Sequence, residues 1–511
     1  MSAPASPDDP GGLRLALNWF HTWFGLVVGA LLFIIFWTGT LAVFDREIDR
    51  WTMPATRLPI VSSVSADALM PVVRDLVEGS RGWRMILPED RVPVAEVQAS
   101  FADGSYVRRF IDPVSMQILP DEGTAGASDF FYPYHYNLHS GAIGLFLCAL
   151  AAVIMVALCV SGVIIHRKIF ADFFTLRIVR KAQRTTLDLH NLSGVLFLPF
   201  LLMISFTGVA IFTYTYLPSA QAIMFSGDPQ ATTAGYFSRD AAGRPGGEIV
   251  SLEGLRDRAK DHWGARPDYV QIVHPGDAGS YVELRPPNGS NISFSTEAMW
   301  FDAATGARLG ASPSTGTRRA YDFLYGIHLV QFHHWPLRWL YFVSGLAGCL
   351  LIATGMLFWV QSRRKRHQRE GRRGARAAEA FVIAATIGPL LATLGFLVAN
   401  RTLPITTPDR ASTEMWIFHL VWIASAVHAF ARGRTAWRDQ AWMVAAGCLL
   451  AVVLNAWTTD TGLFDAISAG LWHSAGVDLS LLATSTVAAW SAVKLRRAEK
   501  IASASARSMT E

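Results

Sequence analysis

Long apolar runs alternate along this chain with mixed segments that carry a strand period. Eight apolar stretches, near 15–44, 140–165, 190–217, 337–361, 377–400, 414–431, 438–458 and 467–493, are each long enough for a helix to cross a bilayer. Between the first two lies a segment in which a helix near 66–79 precedes strands near 83–87, 94–101 and 105–111. Between the third and fourth the same order returns, a helix near 252–263 and strands near 269–274, 280–285 and 298–302. Both segments end alike. Ile111-Asp112 runs on to Leu119 and Phe301-Asp302 to Leu309, an apolar residue, an Asp, a turn and a Leu seven positions after the Asp.

This order predicts a polytopic all-α bundle of about eight membrane helices with two small α+β domains outside the membrane. The unit of span, domain and span occurs twice with an even number of spans, so the copies form a parallel repeat. The expected divisions are a tail and first span (1–44), a first α+β domain (45–134), and the second span, loop and third span (135–217). A second α+β domain (218–322), the fourth span (323–361), a basic loop (362–376), a four-helix block (377–493) and a tail (494–511) follow. The four-helix block carries no copy of the unit, and its role is not legible.

Composition narrows the class. Of 511 residues, 51% are hydrophobic and only 17% charged, which fits a membrane protein. The net charge of +5 is concentrated in clusters. Arg167, Lys168, Arg177, Arg180, Lys181 and Arg184 follow the second span, and eight arginines and lysines from Arg363 to Arg376 follow the fourth. Arg432, Arg434 and Arg438 separate the sixth and seventh, and Lys494, Arg496, Arg497 and Lys500 follow the last. All fall on one side if both termini are cytoplasmic, so the charge sets orientation and does not mark nucleic-acid binding. The first span lacks a small-residue cleavage site and follows an acidic tail, as expected of a retained helix and not a signal peptide. Cys148, Cys159, Cys349 and Cys448 all lie inside apolar spans without Cys-x-x-Cys spacing, which supports packing and no cysteine-ligated centre.

Histidines near membrane spans carry the candidate chemistry. His21 and Thr38-Gly39 share one spacing with His190 and Thr207-Gly208. His135 stands as far before Ser161-Gly162 as His328 does before Thr354-Gly355. The repeat therefore sets His21 opposite His190 in an inner layer and His135 opposite His328 in an outer one. His139, one turn after His135 and nearer the apolar span, competes as the outer ligand. His166, at the inner end of the second span, is either a further inner ligand or a headgroup-level residue beside Arg167 and Lys168. Two imidazoles facing across a bundle core are the axial ligands of a low-spin b-type haem, and no covalent attachment motif is present. The expectation is haem iron held through His21, His190, His139 and His328, with His135 and His166 as further candidates, and about two haems per chain. Glycines such as Gly25, Gly29, Gly39, Gly162, Gly194 and Gly355 allow close approach of a helix or a flat ring. No Gly-x-Gly-x-x-Gly follows a strand, so neither a flavin nor an NAD site is expected, and electrons must come from quinol or a separate reductase.

The runs His21-Thr-Trp-Phe-Gly-Leu, Ser161-Gly-Val-Ile-Ile-His-Arg-Lys, Leu187-Asp-Leu-His-Asn-Leu and Ala353-Thr-Gly-Met-Leu-Phe-Trp359 resemble the PepSY-associated transmembrane helix family over about 15–365. The resemblance implies PepSY-like extracytoplasmic domains and a multi-pass protein of the bacterial inner membrane. It also implies haem b and reductive release of iron from ferric siderophores. The matching histidines are His21, His135 or His139, His190 and His328; the block from 377 onward departs from the shorter members. The alternatives are a PepSY-bearing scaffold or peptidase regulator without redox activity, and a siderophore or peptide permease.

Overall fold

The computed structural model describes residues 10–61, 63–166, 182–216, 237–312, 315–369 and 374–507. The basic stretch 167–181 and Arg372–Arg373 lie outside the described residues. The chain divides into two units, one from 1–52, 123–209 and 339–511, the other from 53–122 and 210–338.

Among the described residues the second unit carries all the strands. β1 (Gly82–Ile86), β2 (Ala95–Ser100) and β3 (Tyr106–Ile111) come from the first mixed segment. β4 (Tyr269–Val273), β5 (Tyr281–Arg285), β6 (Met299–Asp302) and β7 (Arg308–Ala311) come from the second. Instead of two separate domains they build one seven-stranded sheet in the order β3-β2-β1-β4-β5-β6-β7. The seam is the antiparallel pair β1–β4, with Arg84 opposite Gln271 at its centre. Each set of strands would otherwise end in an open edge of unpaired N–H and C=O groups, and joining the edges removes both.

Alternating positions of these strands, Trp83, Met85, Val97, Ala99, Val270, Ile272, Val282 and Leu284, are buried together with Leu69, Val73, Leu252, Leu255 and Ala259 from helices Ala66–Val77 and Leu252–Trp263. The two helices cap each other. The Leu252 N–H donates to Asp67 Oδ1 (2.7 Å), and the Ala66 N–H donates to Glu253 Oε2 (3.0 Å). Each carboxylate thus meets the positive end of the other helix.

The first unit is helical. Single helices at Gly141–Ile165, Trp335–Arg363 and Trp472–Ile501 are long and apolar enough to cross a membrane, and so is the stretch Arg410–Thr459. Three further spans arise only if bent pairs are counted: 12–27 with 29–42 (61°), 182–196 with 198–210 (64°), and 376–386 with 388–402 (41°). Counted this way the candidate spans number four to seven among the described residues, with Arg410–Thr459 taken as one. The sixth and seventh expected runs both fall on that stretch, where the short turn Gly433–Thr435 separates two helices. Gly29, Pro199 and Gly388-Pro389 stand at the three bends, where a missing side chain or a missing donor loosens the helical ladder. The first two bends, at Val28 and Phe197, fall seven residues after His21 and His190, so the repeat extends to the distortion itself.

Leu32, Met155, Leu158, Leu201, Ile352 and Met356 from the first four spans form one buried cluster. The C-terminal block packs on the chain through a second cluster that includes Ile34, Trp51, Phe130, Phe131, Phe396 and Phe418. A buried polar network runs beside it. Trp51 Nε1 donates to Asp478 Oδ1 (2.8 Å), Asn400 Nδ2 to Glu414 Oε1 (3.1 Å) and Thr124 Oγ1 to Glu414 Oε2 (2.5 Å). Arg410 pairs with Glu414 at 3.2 Å, both side chains being buried. Buried charges hold their place only when paired and hydrogen-bonded; the Arg410–Glu414 pair lies within one helix, and the hydrogen bonds from Trp51 and Thr124 join the block to the helix and loop at 45–52 and 123–130.

Candidate functional site: an imidazole pair in an apolar cavity

The repeat places one histidine in the first half of each of the first two bent spans. His21 Nδ1 lies 3.1 Å from the Leu158 carbonyl and 3.1 Å from Ser161 Oγ. His190 Nδ1 lies 2.9 Å from the Leu351 carbonyl. Leu158 and Leu351 each stand three residues before a small pair, Ser161-Gly162 and Thr354-Gly355. The contacts beside the rings repeat as well. A Cβ built on Gly162 would meet His21 Cε1 at 3.3 Å, and one on Gly355 would meet His190 Cε1 at 2.9 Å. Each histidine is thus a ring laid on a glycine with its Nδ1–H given to a carbonyl. That bond fixes the tautomer and leaves Nε2 with a free lone pair, the state in which imidazole binds a metal.

The two ring centroids lie 6.3 Å apart, edge to face, with planes at 81°. Metal–imidazole bonds of about 2.0–2.1 Å and about 1.1 Å from nitrogen to ring centre put two trans imidazoles about 6.3 Å apart. The centroid separation has the length that one metal ion held between two imidazoles would need. Around them lies a cavity of about 870 Å³, lined by apolar side chains of all four spans, among them Leu26, Leu32, Met155, Leu158, Leu198, Leu201, Ile352 and Met356. Gly25, Gly29, Gly162, Gly194 and Gly355 also line it, which flattens its walls. A flat, largely apolar macrocycle with an iron centre fits this donor set and shape. Among the described residues no three His, Cys, Asp or Glu side chains cluster as metal ligands, so the pair stands apart from a three-ligand centre.

The outer layer shows the same local device once. His135, in helix Phe131–Asn137, places Nδ1 2.8 Å from the Ile35 carbonyl, and Ile35 precedes Thr38-Gly39 by three residues. A Cβ on Gly39 would lie 2.6 Å from the His135 ring. His139 is arranged differently. It has φ +50°, stacks on Phe130 at 5.3 Å, and gives Nε2–H to the Phe130 carbonyl (2.9 Å). Of the two competitors His135 is the one that repeats the pattern of His21 and His190. His328 sits in the last turn of helix Gly316–Leu329, in the sheet-bearing unit, and its pairing with His135 rests on the repeat spacing alone.

Four further histidines have local partners. His166 lines the inner cavity, with Nε2 3.1 Å from Asn191 Nδ2. His333 lies 3.5 Å from Glu89 and 3.7 Å from Asp90, and these carboxylates raise its pKa above the usual imidazole value. His419 bonds the Met415 carbonyl (2.7 Å), and His473 Nδ1 accepts from Arg50 (2.8 Å). The four cysteines are free and buried.

Sequence reasoning did not find the second partners, the Leu158, Leu351 and Ile35 carbonyls. Their signal was present, since each stands three residues before a small pair that the repeat had already aligned. It also missed the cavity's polar rim, Arg14, Asn18, Asn191 and Arg363. That rim has no motif, because its members come from three separate helices.

The family model described as the PepSY-associated TM region matches residues 18–362. An uncharacterised protein of Pseudomonas aeruginosa is 26% identical over 314 residues, covering 57% of this chain and 78% of that relative.

Proposed function

The chain belongs to the PepSY-associated TM region family of membrane proteins, and from that premise we propose that it is a transmembrane electron carrier that binds b-type haem and reduces ferric siderophores. The observation that carries the reading is the His21–His190 pair, 6.3 Å apart in an apolar cavity with both Nδ1 atoms tied to carbonyls. Haem, when bound, supplies reversible one-electron chemistry on its iron. The residues do the rest. His21 and His190 are the inner ligands, Leu158 and Leu351 orient them, and the glycines admit the ring face. His135, oriented by Ile35, is an outer ligand, and His328 is assigned to the outer layer by the repeat spacing alone, which makes about two haems per chain. The donor is quinol or a separate reductase on the cytoplasmic side of the inner membrane, and the acceptor is a ferric chelate on the side of the sheet.

The test is a pair of measurements on the purified protein. Oxidised and dithionite-reduced spectra are expected to carry the Soret, α and β bands of low-spin b-type haem. In sealed, oriented vesicles the reduced protein is expected to be reoxidised by a membrane-impermeant ferric chelate on the sheet side, more slowly in His328→Ala. Protein without a Soret band would sink the reading and leave a non-redox scaffold or permease. Reoxidation from the cytoplasmic side alone would reverse the direction.

A further inference from the structure

Helices Ala66–Val77 and Leu252–Trp263 pack on one face of the seven-stranded sheet. The alternate positions point to the other face. There the antiparallel register sets Arg108, Gln98, Arg84, Gln271, Glu283 and Trp300 in one row across β3-β2-β1-β4-β5-β6. Phe237 covers the far end of the row, stacked on Trp300 at 5.7 Å. Nearer β3 and β5 the face is open, with Tyr106 58% exposed and the Arg285 side chain 41%.

Arg108 on β3, Arg84 on β1 and Arg285 on β5 place guanidinium groups on every second strand of this face. With strands about 4.8 Å apart, each stands about 10 Å from the next across the sheet. The flanking two are neutralised, Arg108 by Glu96 at 2.6 Å and Arg285 by Glu283 at 2.6 Å. Arg84 is not. Its Nε–H goes to Gln98 Oε1 (2.7 Å), an uncharged acceptor that also receives the Tyr106 O–H, and it pairs with no carboxylate among the described residues. On the β4 side its neighbour is again an amide, Gln271, whose Oε1 is taken by the Tyr269 O–H (2.6 Å). A charge flanked on both strands by amides is left for a ligand to balance. Aromatic rings stand beside the cations, Tyr269 at 5.0 Å from the Arg285 guanidinium and Phe110 at 5.1 Å from that of Arg108. Guanidinium and ring together receive a ligand that is both anionic and aromatic.

We propose that this face, centred on Arg84, is the dock for the ferric chelate, and that it selects anionic aromatic chelates of the catecholate class over uncharged hydroxamates. The inference rests on the ferric-chelate reductase reading and names its substrate class. A tris-catecholate complex of a trivalent ion carries three negative charges and presents its rings at its rim. It therefore meets Arg84 with charge and the flanking rings with its own.

The test uses the full chain and gallium(III) chelates, which are not reduced, so that docking is read apart from electron transfer. Calorimetric titration compares a trianionic gallium tris-catecholate with an uncharged gallium trihydroxamate. The parent is expected to bind the first about tenfold or more tightly than the second, with a preference that shrinks as salt rises. Arg84→Gln is expected to lose the preference and bind the trihydroxamate as the parent does, which serves as its folding control. Arg84→Lys, which keeps the charge, is expected to retain most of it. Gln271→Glu leaves Arg84 in place but sets a carboxylate opposite it, and is expected to weaken tris-catecholate binding about tenfold. A parent that binds both chelates equally, or neither, overturns the dock. So does either Arg84→Gln or Gln271→Glu with the preference intact. So too does a parent that binds the metal-free tris-catechol, uncharged at neutral pH, as tightly as its gallium complex, since rings alone would then account for the binding. Protein that shows the charge-dependent preference but no Soret band keeps the dock and refutes the haem reading.

Discussion

Gly355 and Gly162 are equivalent by the repeat, yet the structure predicts unequal consequences when each becomes alanine. At Gly355 the new Cβ would stand 2.9 Å from His190 Cε1 and 3.2 Å from Nδ1; at Gly162 it would stand 3.3 Å from His21 Cε1. Ordinary contact begins at 3.4 Å, so the His190 ring must retreat by 0.5 Å and the His21 ring by only 0.1 Å. The His190 ring has little freedom, because Nδ1 is bound 2.9 Å from the Leu351 carbonyl and the ring packs across from His21. Metal–ligand distances tolerate about 0.2 Å, so the first displacement exceeds the tolerance and the second does not. Gly355→Ala is therefore expected to weaken inner-haem binding by about tenfold or more, about 1.4 kcal/mol or above. Overpacking would remove about 1–3 kcal/mol of stability besides. Gly162→Ala is expected to stay within about twofold of the parent in haem binding. Haem titration followed in the Soret band measures the binding, and the low-spin signals in electron paramagnetic resonance report the ligand geometry. Equal losses in the two variants, or a larger loss in Gly162→Ala, would refute the geometric argument.

Three further outcomes are expected. His190→Ala should remove the inner haem while leaving the outer one, halving the haem-to-protein ratio in a pyridine haemochrome assay; an unchanged ratio contradicts the assignment. Glu414→Ala leaves the buried Arg410 without its ion-pair partner. It should destabilise the helical unit by about 3–5 kcal/mol, whereas Glu414→Gln, which keeps an acceptor for Asn400, should cost less; thermal unfolding in detergent compares them. In the sheet-bearing unit, burial and the nearby Glu89 charge push Asp268 up to about 7, while Glu89 raises His333. Both groups hold their protons more firmly folded than unfolded. Their contribution is therefore complete at low pH, and it is lost as pH rises, for Asp268 from about 4 to about 7 and for His333 through its raised pKa. The unit should be less stable at pH 8 than at pH 5, by a smaller margin in Asp268→Asn; a margin unaffected by that change contradicts the assignment.

The chain alone determined the elements and the repeat. Apolar runs long enough to span a bilayer, period-two stretches and the matched positions of His21 and His190 all depend on local spacing, which a helix or strand translates directly into position. For the same reason helix Leu252–Trp263 and strands β4 to β6 fall within a residue or two of their expected places. The bends were half visible, since Pro199 and Gly388-Pro389 announce a weak ladder without giving an angle.

What only tertiary structure decided is how separate segments meet. Pairing of β1 with β4 across the two copies depends on two free edges finding each other, and no local pattern encodes a partner. The preference for His135 over His139 as the residue that follows the ligand pattern came from backbone atoms. The carbonyl of Ile35 accepts from one, and the carbonyl of Phe130 engages the other. Carbonyls belong to every residue, so the chain marks the orienting one only indirectly, by its place three residues before a small pair. The polar rim of the cavity has the same origin: Arg14, His166, Asn191 and Arg363 are far apart in the chain and become neighbours because four helices close around one space.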